Sequence, residues 1–262
     1  MKLALLVALG LVVGCGPDGK RVTVIHVEDE TTGPVTPSVP GAEELTFAAA
    51  DGVTIHGSYW APDRATTACV VFAHQLSSTR AEYVPVIARL KGQAHLYAID
   101  LRGHGASTQG PDGAQSWKGF TAEDWLKVEV DLAVALDAVH GKGAGEACVV
   151  VGASIGSSAV LRLAGAASAR VTGVVLLSPG LNYRGLATPD AARATRAPVL
   201  IVHSQESGAG DAATALATIL RDASTPVDVI ADPGTAHGMK IVAGDPAILD
   251  RVVAFIAARI AS

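Results

Sequence analysis

The residues that could do chemistry begin with Ser154, at the centre of Gly152-Ala153-Ser154-Ile155-Gly156. The apolar run Cys148-Val149-Val150-Val151 comes directly before it, and a helix-forming stretch comes directly after. A serine on a tight strand-to-helix turn is lifted above the sheet edge, where its hydroxyl can attack a carbonyl carbon. Small neighbours are needed because the turn brings two backbones together, and the helix N-terminus behind it favours developing negative charge. Such a weak nucleophile requires a base. His237, in Thr235-Ala236-His237-Gly238, follows the last β-rich run and falls at the same sheet edge. The base in turn requires an acid to hold its tautomer and stabilise imidazolium. The loop His203 to Asp211 offers Glu206, nearest the expected place, with Asp211 as the alternative. Asp211 equally suits a first-turn helix acid.

An oxyanion formed at Ser154 needs two N–H donors. The residue after the nucleophile, Ile155, supplies one. The second is expected from the loop His74-Gln75-Leu76-Ser77-Ser78, with Gln75 as the donor. His74, leaving a strand, reads as a hydrogen bonder that orients this loop. His74, Leu76, Trp117, Leu181 and Tyr183 are candidate walls of a substrate pocket, with Phe120 and Trp125 nearby.

These side chains need a scaffold that brings loops to one edge. Short apolar runs at Cys69–Ala73, His95–Ile99, Cys148–Val151, Val171–Leu177, Val199–Val202 and Val227–Ala231 read as strands buried on both faces. Helical stretches lie between them, which predicts βαβ units and a mostly parallel sheet covered by helices on both faces. Ahead of them, Leu45–Ala48 and Val53–Tyr59 around Asp51-Gly52 read as an antiparallel hairpin.

The first residues carry a different signal. Lys2 precedes the apolar run Leu3–Val13, too short to span a bilayer and suited to a secretory h-region. Val12-Val13-Gly14-Cys15 resembles the bacterial lipobox, in which the cysteine is lipid-modified. The expectation is a signal peptide over residues 1–14, lipid on Cys15, a disordered tether over 15–44 and one domain over 45–262. That places the protein in the cell envelope, held to a membrane by its anchor alone. The composition, 49% hydrophobic with net charge −5 and 4% aromatic residues, suits one domain and does not favour a nucleic-acid partner. No metal cluster or phosphate loop is seen in the sequence, and no cofactor is expected.

Asp100-Leu101-Arg102-Gly103-His104-Gly105-Ala106-Ser107 is similar to the Asp-x-Arg-Gly-x-Gly-x-Ser turn of many α/β-hydrolases. With the elbow and the histidine, the chain resembles that superfamily over residues 45–262, most of all its dienelactone-hydrolase-like and small esterase members. The resemblance implies cleavage of a small-molecule carboxylic ester through an acyl-enzyme. The short segment between the Val171 and Val199 runs implies little or no lid. Two departures stand out: His74-Gln75 replaces the common His-Gly, and the expected aspartate appears as Ser207 or is shifted to Glu206. They keep two alternatives open, a lipoprotein that retains the fold for binding and a peptidase or amidase using the same triad. In this fold the strands bearing Cys69 and Cys148 are neighbours, so a bridge is geometrically possible. Adjacent parallel strands are an awkward setting for one, and the balance of expectation is against it.

Overall fold

A computed structural model describes residues 10–15, 21–26 and 40–261. The chain divides into two compact units, Met1–Thr36 and Pro37–Ser262. In the first, Gly10–Cys15 pairs antiparallel with Arg21–His26. Cys15 closes the first of these strands, and the second falls inside the segment expected to be a tether. The rest of the expected signal peptide, and the tether residues 16–20 and 27–39, lie outside the described residues.

The second unit is built on eight main strands: β1 (Glu43–Ala48), β2 (Thr54–Trp60), β3 (Cys69–Ala73), β4 (His95–Ile99), β5 (Cys148–Ala153), β6 (Val171–Leu177), β7 (Val199–His203) and β8 (Val227–Ala231). Their order across the sheet is β1-β2-β4-β3-β5-β6-β7-β8. β1 and β2 form the antiparallel hairpin expected around Asp51-Gly52, and β2 also runs antiparallel to β4. From β4 to β8 every neighbouring pair is parallel. β3, β4 and β5 are buried along their whole length, which is why β3 and β5 read as apolar runs and β4 does so after His95.

Among the described residues the main helices flanking the sheet are α1 (Val84–Leu90), α2 (Val128–His140), α3 (Ile155–Ala166), α4 (Pro189–Ala194), α5 (Ala209–Asp222), α6 (Met239–Gly244) and α7 (Pro246–Ile260). Leu132, Leu136, Leu163, Leu216 and Leu220 carry α2, α3 and α5 into one core. Ile87, Leu90, Val252 and Ile256 carry α1 and α7 into the other. The sheet separates them, with Val71 of β3 in the first and Val70 and Phe72 in the second. Helix over 122–140 is interrupted at Lys127, ahead of which a short helix, Ala122–Leu126, is capped reciprocally by Thr121 and Asp124. Between β6 and β7 stand only a two-rung hairpin (Asn182–Tyr183 with Leu186–Ala187) and α4, in keeping with the small lid expected.

The cysteines depart from expectation: Cys69 and Cys148 form a disulfide with Cα atoms 4.7 Å apart. They open β3 and β5, whose ladder begins one residue later at Val70 opposite Val149. The two cysteines therefore face one another just before the parallel ladder, on the same face of the sheet, within the Cα separation a bridge requires.

The topology also fixes where a site can form. The chain runs from β3 outward to β4 and then back across to β5, so the winding reverses between β3 and β5. Beyond the carboxyl ends of strands at such a reversal, the connecting loops diverge and leave a crevice. The His74–Ser78 loop and Ser154 flank it.

Candidate active site

β5 ends at Ala153, and Ser154 then adopts φ 52° and ψ −113°. That is a strained conformation for a residue with a Cβ, and it persists only where the surroundings impose it. The Ser154 N–H donates to the Leu177 carbonyl at 2.8 Å, pinning the turn to β6. Ser157 Oγ donates to the Gly152 carbonyl at 2.8 Å and also reaches the Leu177 carbonyl at 3.0 Å. A Cβ on Gly152 would lie 2.3 Å from the Gly156 carbonyl oxygen, and one on Gly156 would lie 2.2 Å from that of Ala73. Both glycines are thus required for α3 to cross this close to β5 and β3.

His237 lies between β8 and α6 in a loop fastened at several points. The Gly238 N–H donates to Ser178 Oγ at 2.8 Å, and the Gln205 N–H donates to the Gly234 carbonyl at 2.8 Å. These bonds tie the histidine loop to the ends of β6 and β7. His237 Nδ1 lies 2.5 Å from Glu206 Oε2. A carboxylate accepts, so Nδ1 carries the proton and Nε2 is left as the basic nitrogen. The Glu206 N–H itself donates to Ser204 Oγ at 3.1 Å. Of the two acids considered, the structure brings Glu206 to the imidazole. Asp211 lies exposed on the first turn of α5 without contacting it.

Ser154 is 8% exposed. Among the described residues no hydrogen bond joins its Oγ to His237, a contact that commonly tightens only with substrate bound. The side chain that does reach Ser154 is Tyr183, whose hydroxyl also approaches the Ser178 carbonyl at 3.4 Å. Burial and the nearby Glu206 charge push the Tyr183 phenol up, with the Ser154 contact opposing them. Tyr183 is held by a tight turn at Arg184 (φ 54°) and Gly185 (φ 94°), where the Gly185 N–H donates to Asn182 Oδ1 at 2.9 Å.

The oxyanion loop differs from expectation. Ile155 opens α3, so its N–H is one of the first-turn donors without an intrahelical acceptor. The Gln75 N–H, however, donates to Glu82 Oε1 at 2.9 Å. The next amide, that of Leu76, has no acceptor among the described residues and is the freer of the two. Sequence reasoning passed over Glu82, an acid set just before the apolar positions of α1. Its burial raises the carboxyl to about 7, against the opposing hydrogen bonds of Ser78 and Gln75. The Gln75 side chain lies against the histidine loop, for a Cβ on Gly238 would stand 2.0 Å from its Oε1.

His74 is fully buried: Nδ1 donates to the Gln75 carbonyl at 2.7 Å and Nε2 accepts from the Leu101 N–H at 3.0 Å. Burial, reinforced by the nearby His104, lowers it to about 3, so it stays neutral. It orients the loop and does not wall a pocket. Trp117 stacks on His104 at 5.4 Å, and both Trp117 and Leu76 pack on the core. Leu181 and Tyr183 do line a cleft, of about 820 Å³, that they share with Glu206, Asp211 and His237. The Asp100 turn is structural as well. Asp100 accepts from the Arg80 and Ala106 N–H groups, and buried Arg102 pairs with Asp131 and Asp51.

The stretch that carries the elbow matches a known sequence pattern: the family described as serine aminopeptidase, S33 (Hydrolase_4) matches residues 64–199. The chain belongs to this family of α/β-hydrolases. The matched stretch of this hydrolase includes Ser154 and ends before Glu206 and His237. No curated protein matches its sequence. Among solved structures it is similar to the esterase Pf2001 of Pyrococcus furiosus, with 16% identity, a TM-score of 0.67 and coverage of 84% of this chain and 93% of that one. A thermostable carboxyl esterase from Bacillus coagulans is 15% identical, with a TM-score of 0.68 over 85% of this chain and 100% of its own. A Klebsiella pneumoniae protein assigned to the dienelactone hydrolases is 14% identical, with a TM-score of 0.66 over 82% and 98%. At these identities the likeness is one of fold.

Proposed function

We propose that this hydrolase cleaves carboxylic esters through an acyl-enzyme on Ser154. The observation that carries the reading is the Glu206–His237 pair, fixed on loops at the same sheet edge as a strained serine. Ser154 Oγ attacks the carbonyl carbon while His237 Nε2 takes its proton, and Glu206 stabilises the imidazolium that forms. The tetrahedral oxyanion is received by the Ile155 and Leu76 N–H groups, with Gln75, tied to Glu82, shaping the loop. As the C–O bond breaks, Nε2 returns the proton to the leaving alcohol. Water then attacks the ester of Ser154, again deprotonated by Nε2, and releases the acid and free serine.

A second reading is amide cleavage at the N-terminus of a peptide, favoured by the description of the family. The chemistry is the same and the leaving amine replaces the alcohol. Turnover of the purified protein on 4-nitrophenyl esters and on amino-acid 4-nitroanilides separates the two. Hydrolysis confined to the esters is expected, and faster turnover of the anilides would favour the peptidase.

We further propose that the protein acts outside the cytoplasm, held to the cell envelope by lipid on Cys15. The lipobox-like run before Cys15 supports this, and the Cys69–Cys148 bridge suits an oxidising compartment. Metabolic labelling with a fatty acid analogue tests it: label should be incorporated and be lost in Cys15→Ala.

A further inference from the structure

We propose that the cleft beside His237 is the leaving-group site, that Tyr183 sets its selectivity, and that it accepts neutral or cationic alcohols while repelling anionic ones. This rests on the ester-hydrolase reading above and specifies the part of the substrate that reading left open.

The position of the cleft decides which half of the ester it holds. It is lined by His237, Glu206 and Tyr183, whereas Ile155 and Leu76 of the oxyanion hole are not part of its wall. His237 Nδ1 is occupied by Glu206, so Nε2 is the nitrogen that must reprotonate the departing oxygen. The leaving alcohol therefore has to lie within reach of that nitrogen, on the histidine side of Ser154. At about 820 Å³ the cleft falls within the range of small-ligand sites and has room for an aromatic or branched alcohol.

Its wall states the chemistry. Leu181, Ala209, Ala212 and Ala215 supply apolar contact, and the charged side chains on it are Glu206 and Asp211, without a lysine or arginine. Glu206 accepts a hydrogen bond from the neutral His237, and Asp211 has no ion-pair partner among the described residues. An anionic leaving group would meet an uncompensated negative charge there, and a cationic one would be attracted. Tyr183 lines the cleft, and its hydroxyl meets both Ser154 and the Ser178 carbonyl. Its ring lies against Gly180, where a Cβ would come within 2.6 Å of it. A phenol so held contacts whatever group is bonded to the scissile oxygen.

Aryl acetates test this, because they share one acetyl-enzyme and differ only in what leaves. We expect kcat/KM, corrected for alkaline reactivity, to favour 4-(trimethylammonio)phenyl acetate over 4-sulfonatophenyl acetate by about tenfold at low salt. Asp211→Asn and raised ionic strength should each shrink that ratio. Tyr183→Ala should lower kcat/KM for phenyl acetate relative to methyl acetate by about tenfold, a loss larger in acylation than in hydrolysis of the preformed acetyl-enzyme, whose leaving group has gone. A preference for the anionic ester, a ratio untouched by Asp211→Asn, or an equal loss in acylation and deacylation for Tyr183→Ala would each overturn the proposal. Failure of the hydrolase reading itself shows separately, as wild-type protein that forms no acetyl-enzyme at all.

Discussion

A 2.9 Å hydrogen bond from the Gln75 N–H to Glu82 Oε1 fastens the loop facing Ser154 to the turn that follows it. The acid that does this is half-buried, and its desolvation raises it from an ordinary 4.5 to about 7. Well below 4.5 Glu82 is protonated both folded and unfolded, and its burial costs little. As pH rises through 7 the folded protein must hold an ionised, desolvated carboxyl, so stability falls across that window. Glu82→Gln keeps the acceptor and removes the charge. Its melting temperature relative to wild type should therefore rise between about pH 5 and about pH 8, by an effect on the order of 3 kcal/mol at most. A difference independent of pH would contradict the burial account.

Glu206→Gln leaves the shape of the histidine loop but removes the charge that stabilises imidazolium. A fall of about 10² to 10⁴ in kcat/KM on an activated ester is expected, by comparison with acid-to-amide changes in other triads. Asp211→Asn should cost far less on a neutral ester. The reverse order would move the acid to Asp211.

The bridge between Cys69 and Cys148 closes a loop of sequence separation 79 across two core strands. Chain entropy alone makes that worth roughly 4 to 5 kcal/mol. Cys148→Ser, or denaturant titration under reducing conditions, should shift the unfolding midpoint down accordingly. Equal stability with and without reductant would show that the bridge is absent in solution.

At Gly156 even one methyl group meets backbone, 2.2 Å from the Ala73 carbonyl oxygen. Gly156→Ala should lower stability by about 3 kcal/mol or more, or abolish soluble expression, because α3 must move off β3. Gly119→Ala, with nothing near its added methyl group, serves as the tolerant control in the same thermal melt.

What could be read without coordinates follows from how local each signal is. The elbow announces itself within five residues, and the buried strands β3 and β5 announce themselves as apolar runs. Given strand order, the histidine loop follows as well. Glu82 was missed because its role depends on how the His74–Ser78 loop folds back onto the next turn. The bridge was weighed wrongly because it depends on where the β3–β5 ladder starts, and composition does not set that register. Tyr183 was named as a pocket wall, but its approach to Ser154 depends on the Arg184-Gly185 turn. Asn182 three residues before Gly185 was the available clue to that turn.

Ester cleavage of this kind depends on an activated serine at position 154. Treating the purified protein with a fluorophosphonate and locating the adduct by mass spectrometry tests it without knowledge of the natural substrate. Rapid modification of Ser154 is expected, absent in Ser154→Ala and slowed in both His237→Ala and Glu206→Gln. A folded wild-type protein that takes up no label, or takes it up elsewhere, would contradict it and leave a hydrolase fold kept for binding.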